Sequence, residues 1–256
     1  VVLATKIRNP VRDEHEESRS FSPNEMGASR KYIVQAVEGS LRRLNTDYVD
    51  ILYHHAPNVN KDGSWETPLD ETWAAFEDLI RQGKVLYMAV SNRSGAQLSE
   101  ENAMLKQISG NFRSRIIAVQ NRYNLIDRGR VGGDESESAF FQRIRTEGVG
   151  LVPLVPLAVG FLTGRYRRGA GDDTGRLSTP ADKMWADEYL TDRNYDVLDA
   201  VEKIAEKHGA TIPQVAIAWL LAREDVPSVI AGVTKMEQLE DNVGATSLEL
   251  SADEIA

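Results

Sequence analysis

Short apolar runs alternate along the chain with longer amphipathic segments. Residues 48–55, YVDILYHH, are mostly β-branched, aliphatic or aromatic, and Pro57 ends the stretch, so they predict a buried strand. Ser29 precedes a segment whose apolar residues recur every three or four positions, which predicts a capped helix. The same patterns predict six strands, over 1–6, 48–55, 85–92, 115–121, 149–154 and 228–234, and six helices, over 29–45, 70–84, 137–148, 194–208, 213–223 and 236–245.

The predicted strands are too continuously apolar to have one face in water. Strands of this kind are typical of a parallel sheet covered by helices. No linker or low-complexity segment interrupts the chain, so residues 1–256 are predicted to form a single domain. A doubly wound dinucleotide fold would place G-x-G-x-x-G after its first strand, but TKIRNPVRDE follows here and contains no glycine. A closed (β/α) barrel therefore fits the pattern better.

Composition narrows the classes of partner. The 256 residues carry a net charge of −9 with a pI near 5.1, which argues against nucleic acid or an anionic membrane surface as the main partner. The absence of cysteine excludes disulfides, thiolate metal sites and cysteine nucleophiles. No apolar run is long enough to span a membrane, and we expect a cytoplasmic protein. Val1 stands inside the first apolar run, which predicts that the natural chain begins earlier.

Polar residues follow the apolar part of most predicted strands. The carboxyl ends of parallel strands lie together on one rim, so these residues predict a shared site. Successive side chains on a strand point to opposite faces, so His54 and His55 cannot both face that site. A metal site at this pair is disfavoured, because no third ligand lies at a recognisable spacing. The polar groups are Lys6, His54–His55, Ser91–Asn92, Gln120–Asn121 and Thr234–Lys235.

Several stretches, spread along nearly the whole chain, resemble the aldo-keto reductase family. They are VVLATK, SRKYIVQAVEGSLRRLNTDYVDILYHHAP, RQGKVLYMAVSN, VQNRYNLIDR, GFLTGRY and GVTKMEQLEDN. The resemblance implies an α/β fold, a (β/α)8 TIM-type barrel with about six of its eight βα units in this chain. It also implies hydride transfer between NADP(H) and a carbonyl or alcohol. In the family, ATK ends the third strand, so two further units, with the catalytic aspartate and tyrosine, are expected before Val1.

The resemblance implies that Lys6 is the catalytic lysine and His55 the catalytic histidine. A tyrosine has a reference pKa of ~10, and a nearby ammonium lowers it, while a neutral imidazole can orient a substrate carbonyl. His54 is then expected to face the helical layer, and Tyr53 is expected to be core. The alternative is that Lys6 is a solvated strand-end residue and His55 a core histidine.

The resemblance also implies a cofactor site for NADP(H), preferred over NAD(H), and no metal. Ser91, Asn92 and Gln120 match the contacts to the nicotinamide carboxamide, although capping of strand ends is an alternative for the first two. Leu154 stands where the family usually has a stacking tyrosine. The residues implied at the phosphates and the adenosine are Val155, Pro156, Leu157, Gly160, Arg165, Arg176, Gly232, Thr234, Lys235, Gln238, Asp241 and Asn242.

The leading prediction is an NADP(H)-dependent oxidoreductase acting on a small-molecule aldehyde, ketone or alcohol. One alternative is an NADP-binding regulatory subunit of the same fold with little turnover, favoured by Leu154. Another is an inactive, truncated barrel, because six strands do not close an eight-stranded sheet. The sequence carries no signal for an oligomeric state.

Overall fold

The computed structural model describes residues 1–10, 22–60, 64–109, 114–169 and 175–256. These residues form two compact units. The first unit comprises 1–120 and 142–150, and the second comprises 121–141 and 151–256. The single-domain organisation expected from the sequence remains a prediction.

Five strands form one sheet in chain order, β1-β2-β3-β4-β5. The pairs β1–β2, β2–β3 and β3–β4 are parallel, and Ile7 pairs with His54, which in turn pairs with Val90. The predicted α/β fold with a parallel sheet is therefore confirmed. The strand bounds are Ala4–Ile7 (β1), Val49–His54 (β2), Val85–Ser91 (β3), Ile116–Gln120 (β4) and Gly150–Leu151 (β5).

Helices connect the strands and are the main regular structure of the second unit. The predicted cap of the first helix is confirmed, since the Ser29 hydroxyl accepts a hydrogen bond from Tyr32 N at 3.3 Å. At the end of the second helix, Gly83 lies one residue beyond the C-cap Gln82 and has φ of 72°. The helices are Arg30–Leu44 (α1), Leu69–Arg81 (α2), Gly95–Ser109 (α3), Glu137–Glu147 (α4), Lys183–Tyr189 (α5), Asp192–His208 (α6), Ile212–Leu221 (α7), Met236–Gly244 (α8) and Ala252–Ile255 (α9).

Each unit has its own core. In the first unit, Trp73 and Phe76 of α2 are fully buried with Leu52 of β2. In the second unit, Phe161 and Leu198 lie in a buried cluster that also contains residues of α7. These cores hold the ends of the strands and helices that carry the candidate site residues.

Two strand predictions need correction. The sixth predicted strand, 228–234, was wrong: this segment forms no strand, and Ile230 N donates a hydrogen bond to Pro153 O at 3.3 Å. The fifth, 149–154, is reduced to Gly150–Leu151. Proline has no N–H to continue a ladder, which explains the break before Pro153. The described residues thus contain five strands instead of the predicted six.

Candidate active site

The first unit brings Lys6, His55, Ser91 and Gln120 to neighbouring strand ends. Lys6 pairs in register with Tyr53, and Ser91 pairs with Gln120. The Lys6 ammonium lies 5.4 Å from the centroid of the Tyr53 ring, and partial burial lowers the pKa of Lys6. Tyr53 is only 3% exposed, so its assignment to the core is confirmed. The four strands therefore present an ammonium, an imidazole, a hydroxyl and an amide along one edge.

The adjacent histidines have different environments. His54 is 1% exposed and meets Trp73 of α2 edge-on, with ring centroids 6.2 Å apart. His55 is only partly buried, and its Nδ1 lies 3.2 Å from Nδ2 of Asn9. Burial lowers the pKa of His55, and the cations Lys6 and Arg8 lower it further. His55 is therefore held as a neutral imidazole near neutral pH.

The ends of β3 and β4 are joined by hydrogen bonds. Ser91 Oγ donates to Gln120 O at 2.9 Å, and Asn92 N donates to the same oxygen at 3.0 Å. Asn92 Nδ2 donates to His55 O at 3.1 Å. Ser91 and Asn92 thus cap strand ends, which was the structural alternative for them. Gln120 differs, because its buried Nε2 has no hydrogen-bond partner among the described residues.

The second unit contains a cleft of about 740 Å³, within the size range of small-molecule sites. Its lining is largely apolar near Leu154 and polar near Thr234. Twelve of the expected cofactor residues line it: Leu154, Val155, Pro156, Leu157, Gly160, Arg165, Arg176, Gly232, Thr234, Gln238, Asp241 and Asn242. Lys235 does not line it, although it occupies the N-cap position of α8.

The backbone along one wall of this cleft has an unusual conformation. Val155, Ala158 and Val159 have φ values of 57°, 48° and 55°, and Gly160 has φ of 94°. A β-branched residue in the left-handed region is strained, and such strain clusters at ligand sites. Asn124 stabilises the turn by donating from Nδ2 to Val155 O at 2.9 Å. Turns of this kind direct backbone N–H groups into concave surfaces that suit anions.

Several polar residues of the cleft already have protein partners. Arg176 Nε donates to Asp182 at 3.1 Å, and its side chain is well exposed. Gln238 accepts a hydrogen bond from Thr234 N at 2.8 Å, across the first turn of α8. Asp241 accepts from Thr211 Oγ1 at 3.0 Å. Ligand contacts of these side chains would add to, or replace, these hydrogen bonds.

The structure also places residues outside the predicted set of site residues at the candidate site. Asn9 has no recognisable pattern around it, and its proximity to His55 depends on the backbone at Arg8, which has φ of 121°. Tyr166 lies in GFLTGRY, one of the family-like stretches, so a signal was present. Trp185 packs against the guanidinium of Arg122, whose carbon is 4.4 Å from the ring centroid. The cleft residues outside the predicted set are Val159, Thr163, Tyr166, Trp185, Pro213, Ile230 and Ala231.

The described residues contain neither a metal-binding cluster nor a helix suited to cross a membrane. In the part of the chain that the structure describes, no group of three or more His, Cys, Asp or Glu side chains could hold a metal ion. Within the same residues, no helix combines the length and the apolar character that a membrane span requires.

Comparison with known proteins identifies the class. The model of the Aldo/keto reductase family matches residues 1–256. The chain therefore belongs to the aldo-keto reductase family, and its α/β fold agrees with the barrel fold of that family. The prediction that two strand–helix units precede Val1 is not supported by these matches.

Three curated relatives illustrate the range of the family. The chain is 32% identical to an L-glyceraldehyde 3-phosphate reductase of Escherichia coli O157:H7, over 91% of this chain and 64% of the relative. It is 34% identical to a probable voltage-gated potassium channel subunit beta of Arabidopsis thaliana, over 88% of this chain and 65% of the relative. It is 35% identical to the aldo-keto reductase dtxS3 of Metarhizium robertsii, over 99% of this chain and 67% of the relative. The chain thus spans slightly less than two thirds of the first two relatives.

Proposed function

We propose that this protein is an NADP(H)-dependent oxidoreductase that interconverts a small-molecule aldehyde or ketone and the corresponding alcohol. The observation that carries the proposal is the cleft of the second unit, whose lining contains twelve of the residues expected at the cofactor. Membership of a family with reductase-named relatives supports the oxidoreductase class. A cytoplasmic location is proposed with it.

The residues fit a nicotinamide cofactor in two respects. Gln120 has a buried amide donor without a partner among the described residues, which suits the carbonyl oxygen of a carboxamide. The left-handed turn from Val155 to Gly160 and the nearby Arg165 suit a pyrophosphate. When bound, NADPH would supply a hydride to the carbonyl carbon of the substrate.

The chain's own groups would handle the charge that develops on the substrate oxygen. A neutral imidazole at His55 can donate a hydrogen bond to that oxygen. Lys6 contributes a positive charge at the neighbouring strand end. Hydrogen-bond donors and charges that are already in position stabilise the transition state without any rearrangement of the site. Such preorganised groups make the main electrostatic contribution to reactions of this kind.

Preference for NADP(H) is proposed to come from the N-terminus of α8. A helix of nine residues begins after Lys235, and helix N-termini attract anions through their N–H groups and dipole. Thr234 and Lys235 would contact the 2′-phosphate. A hydrogen bond to a charged group contributes about 1.5–3 kcal/mol, so losing Lys235 should weaken NADPH binding about tenfold.

The test is a fluorescence titration of the full-length protein with NADPH and NADH. Lys235→Ala should weaken NADPH binding about tenfold and leave NADH binding unchanged, because NADH lacks the 2′-phosphate. Lys203→Ala is the matched control, since it removes an exposed lysine from α6. If the full-length protein bound neither NADPH nor NADP⁺, the proposed function would be wrong. Equal affinity for NADPH and NADH would contradict only the NADP preference.

A second candidate is an NADP-binding regulatory subunit with little turnover. It is favoured by the resemblance to the probable channel subunit of Arabidopsis thaliana and by Leu154 at the position of the usual aromatic ring. A panel of aldehydes and ketones separates the candidates. Tight NADPH binding without oxidation of NADPH by any of these carbonyls would favour the regulatory subunit.

A further inference from the structure

Asn9 makes a polar contact to the ring of His55. Its Nδ2 lies 3.2 Å from His55 Nδ1. An amide NH₂ group can only donate hydrogen bonds, so Nδ1 accepts only if it carries no hydrogen. The direction of this hydrogen bond therefore decides which nitrogen of the imidazole is protonated.

Arg8 fixes the orientation of the Asn9 amide. Arg8 Nη1 donates to Asn9 Oδ1 at 3.1 Å. Because a guanidinium has donors and no acceptor, the amide oxygen must be the atom that faces Arg8. The amide nitrogen is then the atom that faces His55.

The backbone around Asn9 is held on both sides. Arg8 has φ of 121°, a strained value for a residue with a side chain. Its carbonyl accepts a hydrogen bond from Gly27 N at 2.8 Å, and Tyr32 Oη donates to Asn9 O at 2.6 Å. Strained backbone persists only where its surroundings hold it, and it concentrates at functional sites. These hydrogen bonds thus fix the backbone that carries the Asn9 amide at the end of β1.

The backbone of His55 is also fixed, because its N–H donates to Ile7 O at 3.1 Å and its carbonyl accepts from Asn92. Burial and the two cations Lys6 and Arg8 lower the pKa of His55, so the ring carries a single hydrogen near neutral pH. With Nδ1 accepting from Asn9, that hydrogen lies on Nε2.

We propose that Asn9 is a positioning residue that keeps His55 in the tautomer with hydrogen on Nε2, so that Nε2 donates to the substrate's carbonyl oxygen. The role toward substrate rests on the proposed function, whereas the tautomer itself is a property of the protein without substrate. Asn9 acts only through His55.

The test is the nitrogen NMR spectrum of the histidine rings, recorded at mildly alkaline pH on full-length protein labelled with ¹⁵N-histidine. The chain has four histidines, and the His55→Gln variant assigns the His55 signals. We expect wild-type His55 with hydrogen on Nε2. In Asn9→Asp, a donor becomes an acceptor of nearly the same size, and we expect the hydrogen to move to Nδ1.

Asn45→Asp is the matched control, since it adds the same negative charge at the exposed C-cap of α1, before β2 begins. The six residues of β2, at about 3.3 Å each, separate that end from His55 by roughly 20 Å. Its spectrum should match that of the wild type. Hydrogen on Nδ1 in the wild type, or on Nε2 in Asn9→Asp, would overturn the proposal.

Kinetics give a second readout if the protein reduces carbonyls. Asn9→Asp should lower kcat about 100-fold, the lower limit for losing a correctly placed hydrogen-bond donor to the substrate oxygen, with NADPH affinity unchanged. An unchanged kcat in an active enzyme would overturn the substrate role of the tautomer. Failure of the proposed function is a separate result, because absence of NADPH binding leaves the NMR comparison intact.

Discussion

Leu154 lines the cleft of the second unit with a side chain that has no flat face. Its backbone is fixed on both sides: its N–H donates to Asn121 O at 2.9 Å, and its carbonyl accepts from Tyr123 N at 3.4 Å. The side chain can therefore be changed without moving the turn. The resemblance places Leu154 where the family usually has a tyrosine, so substitutions of Leu154 test how much ring stacking would contribute to binding of the proposed cofactor.

Replacing Leu154 by tyrosine should tighten NADPH binding two- to tenfold, because stacked aromatic pairs contribute about 0.5–1.5 kcal/mol beyond burial. Binding of 2′,5′-ADP, which lacks the nicotinamide, should be unchanged. Leu154→Met controls for side-chain size without a ring. Isothermal titration calorimetry of the wild type and both variants measures the affinities for NADPH and 2′,5′-ADP. If the tyrosine variant bound both ligands more tightly by the same factor, stacking on the nicotinamide would be excluded.

At the scale of elements, Arg93 connects the ends of two strands with a helix. Its Nε and Nη2 donate to the carboxylate of Glu101 in α3 at 2.9 and 3.0 Å. Its Nη1 donates to Ser91 O at 2.9 Å, and its Nη2 lies 2.7 Å from His54 Nδ1. Both members of the ion pair are fully buried. Arg93 thereby holds the end of β3 next to the end of β2.

Glu101→Gln should lower the free energy of unfolding by about 3–5 kcal/mol, because it leaves the buried Arg93 charge uncompensated. Urea unfolding measures the change. Glu38→Gln is the control, since Glu38 pairs with Lys84 at the surface, with side chains 38% and 33% exposed, and should cost less than about 1 kcal/mol. Similar costs for the two variants would show that the Arg93–Glu101 pair contributes no more than a surface pair.

Helix α3 also shows where the sequence pattern was insufficient. Leu98, Glu101, Asn102 and Leu105 are buried on one face at helical spacing. Two of these four residues are polar, so the apolar periodicity that predicts a helix is interrupted. The first four strands, by contrast, were predicted within three residues of their observed bounds, because buried parallel strands are almost wholly apolar.

At the scale of the whole molecule, the candidate site likewise combines features that the sequence predicted with one that it did not. The proximity of Lys6, His55, Ser91 and Gln120 was predictable, because parallel strands bring their carboxyl ends to one edge. The contact of Asn9 with His55 was not, since it depends on the strained backbone at Arg8. The sixth strand was predicted from apolar character alone, but a strand also requires a hydrogen-bonding neighbour.

The stability of the whole protein should depend on pH through His54. Arg93 donates to His54 Nδ1, so the single hydrogen of the ring lies on Nε2, which is buried without a partner among the described residues. Burial lowers the pKa of His54 well below its ordinary 6.5, and the charges of Arg93 and Arg8 and the neighbouring His55 lower it further. A second hydrogen on Nδ1 would point at the Arg93 guanidinium.

Below pH 6.5, the unfolded chain takes up a proton at His54 that the folded protein does not. The free energy of unfolding should therefore fall with decreasing pH, by about 1.4 kcal/mol per unit for this one group. His54→Gln keeps an acceptor for Arg93 but does not titrate, so its stability should fall less steeply. Urea unfolding of the wild type and His54→Gln, between neutral and mildly acidic pH, measures the free energy of unfolding of each. Subtracting the two values at each pH removes the contributions of the titrating groups that both proteins share. Parallel curves would mean that His54 is protonated equally in the folded and unfolded states, contrary to its burial against Arg93.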